Sequence, residues 1–251
     1  MNTQLQIVVA YYNHLDFFEA IKYINYSECI IYNKSSNNTL LHDKIAYIPY
    51  SKINTIESLE NIGREGETYL HHIIKNYDNL SEYTLFIQDD TDNHIHNIQD
   101  FINNTERTIN NMEPIHQYET TWDKNEKITK RLIRNGRCHL STFSHTYAIR
   151  DACNDLNIEL PPIYITPTCA FFILHKNTIK KRSKEFYISI RTWLLQNEEN
   201  GYILEHLWKI IFDYENTGIT KKKEPKIPTT ELVNNMESSI ITHSLRKHNA
   251  N

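Results

Sequence analysis

The stretch NIGREGETYLHHIIKNYDNLSEYTLFIQDD, residues 61–90, decides the fold class. Gly63 and Gly66, two of the chain's five glycines, form a flexible turn at its start. Apolar side chains then fall at helical intervals as far as Tyr77, which predicts a helix. YTLFIQ, residues 83–88, is the most strand-like run of the chain, and acids follow it at positions 89, 90 and 92. This order of turn, helix and buried strand is typical of an α/β domain.

Segments on both sides of this stretch predict further strands and helices. QIVVAYY (6–12) is a continuous apolar run suited to a buried parallel strand, and the residues after it have helical spacing. ECIIYNK (28–34) and AYIPY (46–50) predict two more strands. The later segments predict one strand, CAFFILH (169–175), and three helices, within HIHNIQDFINNTERTINNM (94–112), KEFYISIRTWLLQNEE (184–199) and GYILEHLWKIIFDY (201–214).

Strands that alternate with helices predict a single α/β, Rossmann-like domain with a mixed, mostly parallel central sheet flanked by helices. The domain is expected to span residues 1–219, and residues 220–251 form a polar tail or a strap. In such sheets, ligands bind beyond the carboxyl ends of the strands. Residues 10–13, 32–34 and 88–92 are therefore expected to converge on one cleft.

The composition limits the classes of partner. A formal net charge of -4 and a pI near 6.3 argue against an overall basic surface for nucleic acid. The four cysteines lack the spacing of a metal site or a disulfide framework, so they predict reduced thiols. The first residues do not read as a secretory signal, and no apolar run approaches the ~20 residues of a membrane span. We therefore expect a cytoplasmic protein with no membrane span and no nucleic-acid partner.

The acids Asp89, Asp90 and Asp92 carry the main prediction about chemistry. Carboxylates at the exit of a buried strand repel one another unless a cation or hydrogen-bond donors compensate. A divalent metal held by one or two of them, with substrate phosphates completing its shell, meets that need. A solvated acidic loop, or an N-cap for a helix near His94, explains the same residues without a ligand.

The turn at residues 61–66 adds a second candidate binding feature. Its glycines allow close backbone approach to a ligand, and Arg64 is suited to bidentate recognition of phosphate or carboxylate. The alternative is an ordinary loop in which Arg64 pairs with Glu65 or Glu67. The glycine spacing matches neither a Walker loop nor a dinucleotide fingerprint.

Tyrosines and histidines near the strand ends leave two interpretations open. Tyr11, Tyr12 and Tyr32 either stack on a base or pack in the core. His94 and His96 share a face and suit a metal if they lie on a strand, whereas on a helix they diverge. For this pair, exposure to solvent is the alternative to metal binding.

Together, the glycine turn, the helix and the strand that ends in acids resemble GT-A-type glycosyltransferases, whose strand ends in a DxD-like metal motif. Six segments are also similar, in order and spacing, to a family catalogued only as a domain of unknown function. This resemblance spans residues 5 to about 213. Gln88 stands where a strict DxD begins, so the motif is either a degenerate QDD or Asp90-Thr91-Asp92, shifted by two. The segments are YYNHLDFF, IIYNK, NIGREGETYLHHIIKNYDNL, LFIQDD, CAFFILHKNTIKKRSKEFY and LEHLWKIIF.

The resemblance implies a GT-A-like fold and a glycosyltransferase of the hexosyltransferase type. It would move a sugar from a nucleotide-diphosphate donor, with UDP-sugar favoured, to a hydroxyl of a carbohydrate or other acceptor. Mn²⁺ or Mg²⁺ is the implied cofactor, held by Asp90 and Asp92, with His243 closing over the diphosphate. Glu205 is the implied base that removes the acceptor proton, or else it lies on a solvated helix face. The donor-binding residues would be Ala10, Tyr11, Asn13, Tyr32, Asn61, Gly63, Arg64, Gln88 and Asp89.

Two other functions fit the same residues. A non-catalytic carbohydrate- or nucleotide-binding module would keep the sheet and lose the metal, an alternative that Gln88 favours. A nucleotidyltransferase on a related sheet would need a glycine-rich loop directly after the first strand, and AYYNHLD contains none. In a glycosyltransferase, residues 113–145 are expected to contact the acceptor or to form a lid.

Overall fold

The computed structural model contains both strands and helices and describes residues 4–35, 41, 53–92, 94–95, 97–118, 131–134, 137–138, 148–167 and 170–212. The strands in these residues are β1 (Leu5–Tyr11), β2 (Glu28–Asn33), β3 (Ile53–Ser58), β4 (Tyr83–Gln88), β5 (Ile115–Gln117), β6 (Arg131–Arg134), β7 (Arg137–Cys138), β8 (Ile163–Thr166) and β9 (Phe172–His175). The helices are α1 (Phe17–Ile21), α2 (Arg64–Asn76), α3 (Ile98–Asn110), α4 (Ala148–Asp155), α5 (Lys176–Ile179), α6 (Lys184–Leu194) and α7 (Asn200–Phe212).

Six strands form one mixed sheet in the order β3-β2-β1-β4-β9-β5. The first four run parallel to one another, whereas β9 pairs antiparallel with both β4 and β5. All seven residues of β1 are buried, as expected for a continuous apolar strand at the centre of a parallel sheet. Strands β7, β6 and β8 form a second, three-stranded sheet. The predicted α/β class is confirmed, and the mixed sheet flanked by helices is consistent with a single Rossmann-like domain.

Each face of the central sheet carries its own hydrophobic core. Successive residues of a strand point to opposite faces, so Val8 belongs to one core and Val9 to the other. Helices α2, α6 and α7 cover the first face, and α1 and α3 cover the second. On the first face, the ring of Tyr69 on α2 lies 5.1 Å from that of Phe86 on β4. The two cores hold the sheet on both sides and leave the carboxyl ends of its strands at one edge.

The two glycines near the start of α2 have different structural roles. Gly63 precedes the helix with φ at 61°, in the left-handed region that glycine adopts readily. Gly66 lies within α2, where an added Cβ would meet Leu204 Cδ2 of α7 at 2.7 Å. Both glycines are expected, from the sequence, to allow close approach of a ligand. For Gly66 this is corrected, because the missing side chain lets α2 and α7 approach each other.

The observed elements differ from the predicted ones in several places. AYIPY (46–50) lies outside the described residues, and β3 is Ile53–Ser58. The sequence of β3, INTIES, mixes polar and apolar residues at the sheet edge, a pattern that a polar loop shares. Helix α3 begins at Ile98, where the Asn97 side chain accepts hydrogen bonds from the next turn. The domain boundary at residue 219 and the tail at 220–251 lie outside the described residues.

The sequence predicts no membrane span, because it contains no apolar run of about 20 residues. In the described ranges, every helix is too short or too polar to cross a bilayer.

Candidate functional site

A cavity of about 410 Å³ lies beyond the carboxyl ends of the central strands. The strand register brings these ends together, since Ala10 on β1 is level with Tyr32 on β2 and with Gln88 on β4. All three strand ends contribute to the cavity wall, and the turn before α2 and helix α7 complete it. The lining residues are Ala10, Tyr11, Tyr12, His14, Lys34, Asn61, Arg64, Glu65, Gln88, Asp89, Asp90, His94, Ala170 and Glu205.

Asp89 organises the loop that follows β1. Its Oδ2 atom accepts hydrogen bonds from the backbone N–H groups of Tyr12 at 2.8 Å, Asn13 at 2.6 Å and His14 at 2.7 Å. Hydrogen bonds to a carboxylate are about twice as strong as those between neutral groups. Asp89 is 5% exposed, and the proximity of its charge adds to the effect of burial in raising the pKa of Tyr11. Asp89 therefore connects the ends of two neighbouring strands.

His14, Asp16 and Asp90 form a group that could hold a metal ion. One ligand atom from each of the three lies within 4.8 Å of the others. Burial raises the pKa of Asp16, and the nearby carboxylates of Asp92 and Asp90 raise it further. This concentration of carboxylates makes the position favourable for a cation.

A buried charge cluster lies beneath the turn before α2. Lys34 Nζ donates to the carbonyl oxygens of Ile62 at 2.5 Å and Arg64 at 2.6 Å, and lies 3.4 Å from Glu67 Oε2. The other oxygen of Glu67 accepts from Arg191 Nη2 at 2.8 Å. The side chains of Lys34 and Glu67 are only 4% and 2% exposed. Burial lowers the pKa of Lys34, and the neighbouring Glu67 opposes this change.

The turn above this cluster contains two consecutive left-handed residues. The φ angle is 61° at Gly63 and 54° at Arg64. This conformation costs glycine nothing, but it costs a residue with a Cβ about 1 kcal/mol. The two hydrogen bonds from Lys34 end on the carbonyls of Ile62 and Arg64, on either side of Gly63. These two hydrogen bonds therefore hold the turn that contains the strained residue, Arg64.

The side chain of Arg64 crosses from α2 to the first turns of α7. Its guanidinium carbon lies 4.1 Å from the ring centroid of Tyr202, a cation–π contact. Arg64 Nη2 lies 3.4 Å from Glu205 Oε1, and Arg64 Nε lies 3.5 Å from Glu65 Oε2. An added Cβ at Gly201 would lie 2.7 Å from Arg64 Cδ. The missing side chain at Gly201 thus gives Arg64 room to reach Glu205.

Twelve of the residues implied by the sequence resemblance lie in the described ranges; eight of them line the cavity and four do not. Tyr32 is fully buried, and its hydroxyl lies 3.0 Å from His72 Nδ1, so it is a core residue rather than a stacking surface. Asn13 and Asp92 are exposed beside the cavity, and Gly63 is half-buried in the turn. His243 lies outside the described residues. The implied residues that do line the cavity are Ala10, Tyr11, Asn61, Arg64, Gln88, Asp89, Asp90 and Glu205.

Two residues at or beside the cavity, His14 and Asp16, were not predicted from the sequence. His14 and Asp16 follow β1 as the acids follow β4, and the adjacency of the two parallel strands was the signal that pointed to them. Lys34, which follows β2, belongs to the range 32–34 that was expected at the cleft, although it had no assigned role. In such a fold, the polar residues after every central strand are candidates for the site, because the strands end at one edge.

The fold and this cavity define a Rossmann-like α/β protein with a largely acidic site at the carboxyl ends of its strands. The family described as "Protein of unknown function (DUF3431)" matches residues 34–226, which is more than half of the chain. The chain belongs to this family.

Comparison with solved structures adds a distant similarity. No curated protein matches the sequence. A crystal structure of residues 1–349 of S. aureus TarS is similar with a TM-score of 0.37 and 11% sequence identity. The match covers 76% of this chain and 56% of that chain, so this protein spans little more than half the length of that relative. A similarity this low carries no argument about function.

Proposed function

We propose that this protein is a glycosyltransferase that moves a sugar from a nucleotide-diphosphate donor, with UDP-sugar favoured, to a hydroxyl acceptor. The supporting observation is the set of groups at the cavity. Arg64 is a cation for the diphosphate, Glu205 is a carboxylate in the wall, and the group of His14, Asp16 and Asp90 lies at the cavity's edge. These are the groups that transfer to a hydroxyl requires.

The charge of the cavity wall supports a donor that binds with a cation. Two bases and four acids line it: Lys34, Arg64, Glu65, Asp89, Asp90 and Glu205. A diphosphate is itself anionic, so it would meet an excess of like charge. The carboxylates of Asp16 and Asp90 suit Mn²⁺ or Mg²⁺, and the imidazole of His14 would supply a third ligand atom. When bound, such an ion would neutralise the diphosphate leaving group.

Glu205 is the candidate base. In a direct displacement, the acceptor oxygen bonds to the sugar carbon while the bond from that carbon to the diphosphate oxygen breaks. The hydroxyl proton passes to a carboxylate oxygen of Glu205. Arg64, 3.4 Å from this carboxylate, has a planar guanidinium suited to two oxygens of a diphosphate. Donor and base would therefore meet at one point of the cavity.

Tyr12 is the tyrosine best placed to stack on the donor. It lines the cavity and is 53% exposed, whereas Tyr11 is 1% exposed and Tyr32 is fully buried. An exposed aromatic ring can cover the flat face of a base or a sugar. This assigns to Tyr12 the stacking role first considered for all three.

Calorimetry with UDP and Mn²⁺, followed by measurement of UDP released from UDP-sugars, tests the proposal. We expect binding that Asp90→Ala removes. Asp100→Asn is the comparison variant, because Asp100 is exposed on α3 and belongs neither to the cavity wall nor to the metal group, and it should leave binding unchanged. Failure of the wild-type protein to bind any nucleotide sugar would refute the proposal.

A non-catalytic binding module is the second candidate function. Two of the carboxylates at the cavity are held by protein groups: Asp89 by three backbone N–H groups and Glu205 by Arg64. A site that only binds could use its carboxylates in this way. Such a module would bind UDP but would release no UDP from a UDP-sugar, with or without acceptors.

A further inference from the structure

We propose that Lys34 is a positioning residue for Arg64. Lys34 holds the left-handed turn at Gly63 and Arg64, and this turn directs the arginine side chain across α7 to Glu205. The proposal rests on the proposed function only for the ligand that Arg64 would bind. The claim that Lys34 positions Arg64 rests on the geometry of the turn.

The ammonium group of Lys34 is held in a defined place. Its residue follows β2, and its backbone N–H donates to the carbonyl of Tyr11 on the neighbouring strand at 2.8 Å. Its Nζ lies 3.4 Å from Glu67 Oε2, and Glu67 is itself held by Arg191 Nη2 at 2.8 Å. Since Lys34 and Glu67 are buried, neither charge can turn to water without losing its partner. The ammonium is thus a rigid donor beneath the turn.

The turn needs such a donor. The carbonyls of Ile62 and Arg64 both point to Lys34 Nζ, at 2.5 and 2.6 Å. Two carbonyl oxygens that face one point repel each other unless a cation lies between them. Arg64 at φ 54° is also in a conformation that residues with a Cβ avoid. Lys34 offsets both costs, because its hydrogen bonds form only when the turn has this shape.

The shape of the turn determines where the arginine side chain goes. Arg64 passes over Gly201, where an added Cβ would lie 2.7 Å from Arg64 Cδ. Its guanidinium then rests on Tyr202 and reaches Glu205. A long side chain held in this way loses less conformational entropy when it binds a ligand. Lys34 therefore prepares Arg64 for an anion through the shape of the turn.

NMR of the full chain with labelled arginine measures the position of Arg64 directly. The ring of Tyr202, 4.1 Å from the guanidinium carbon, should shift the Arg64 side-chain resonances upfield. Tyr202→Leu should abolish this shift and so assign it. Lys34→Met should return the resonances towards those of a solvated arginine.

Arg191→Met is the matched control, because it also removes a cation from Glu67 but leaves both hydrogen bonds of Lys34 to the turn. We expect it to keep the upfield shift. If Lys34→Met keeps the shift, or if both variants lose it, the proposal is overturned. If Lys34→Met does not fold, the double variant Lys34→Met with Arg64→Gly decides the question. Glycine takes the left-handed turn without strain, so recovery of folded protein supports the proposal and continued failure overturns it.

UDP binding separates this proposal from the proposed function. Lys34→Met should weaken UDP binding about tenfold, and Arg191→Met should leave it within about twofold. If the wild-type protein does not bind UDP, the proposed function fails, while the arginine resonances still decide the role of Lys34.

Discussion

Asp89→Asn should destabilise the protein by about 3 kcal/mol. The Oδ2 atom of Asp89 accepts three backbone N–H groups, from Tyr12, Asn13 and His14, at 2.6 to 2.8 Å. A hydrogen bond to a charged group contributes about 1.5–3 kcal/mol, and one between neutral groups about 0.5–1.5 kcal/mol. An asparagine amide oxygen keeps the shape of the acceptor and loses its charge, which is a loss of about 1 kcal/mol at each bond.

Urea unfolding followed by circular dichroism measures this change. With an m-value of roughly 3 kcal/mol/M, a loss of 3 kcal/mol lowers the midpoint by about 1 M. Asp92→Asn is the matched control, since it removes an exposed carboxylate from the same loop and should change stability by less than about 0.5 kcal/mol. Equal midpoints for the two variants would refute the assignment and show that other contacts hold the loop after β1.

Three further predictions concern chemistry, pH and packing. Glu205→Gln should leave UDP binding unchanged but should slow the acceptor-dependent release of UDP from a UDP-sugar by about 10²- to 10⁴-fold. An unchanged rate would show that Glu205 is not the base. Burial lowers the pKa of His72 to about 3, so the unfolded chain gains a proton first as the pH falls. The effect of His72 on the free energy of unfolding is therefore most favourable above about pH 6.5. This free energy should fall by about 2 kcal/mol between pH 7 and 5. Urea unfolding should show this loss in the wild type and not in His72→Gln, and the same slope in both would contradict it. Gly66→Ala should lower the free energy of unfolding by about 1 kcal/mol, because contact with Leu204 outweighs the gain in helix propensity. Adding Leu204→Ala should remove this penalty, and strict additivity in thermal unfolding would contradict the contact.

The elements that build the cavity could be predicted because their signals are local. The apolar run of β4 and the helical spacing of α2 depend on neighbours within one segment. Parallel strands joined by helical crossovers end at one edge, so the polar residues after β1 and β4 were expected together. This reasoning placed Asp90 at the cleft, whereas Arg64 came from the glycine turn and Glu205 from the family resemblance, and all three line the cavity.

The partners of individual residues could not be predicted in this way. Asp89 bonds to a loop 75 to 77 residues away in sequence, and the same carboxylate in isolation looks like a metal ligand. Gly63 and Gly66 look alike in the sequence, yet the first permits a left-handed turn and the second a contact between helices.

The amino-acid pattern alone was thus enough for the α/β class, the order of its central elements and the edge of the sheet at which polar residues collect. Hydrophobic periodicity within a segment determines which elements form. The direction of the parallel strands determines the edge at which their polar ends meet. The tertiary structure alone decided that Asp89 holds a loop, that Tyr32 is a core residue and that Lys34 lies beneath the turn at Arg64. The physical reason is that a polar side chain takes its role from the donors and acceptors that folding brings within about 3 Å, and those come from distant segments.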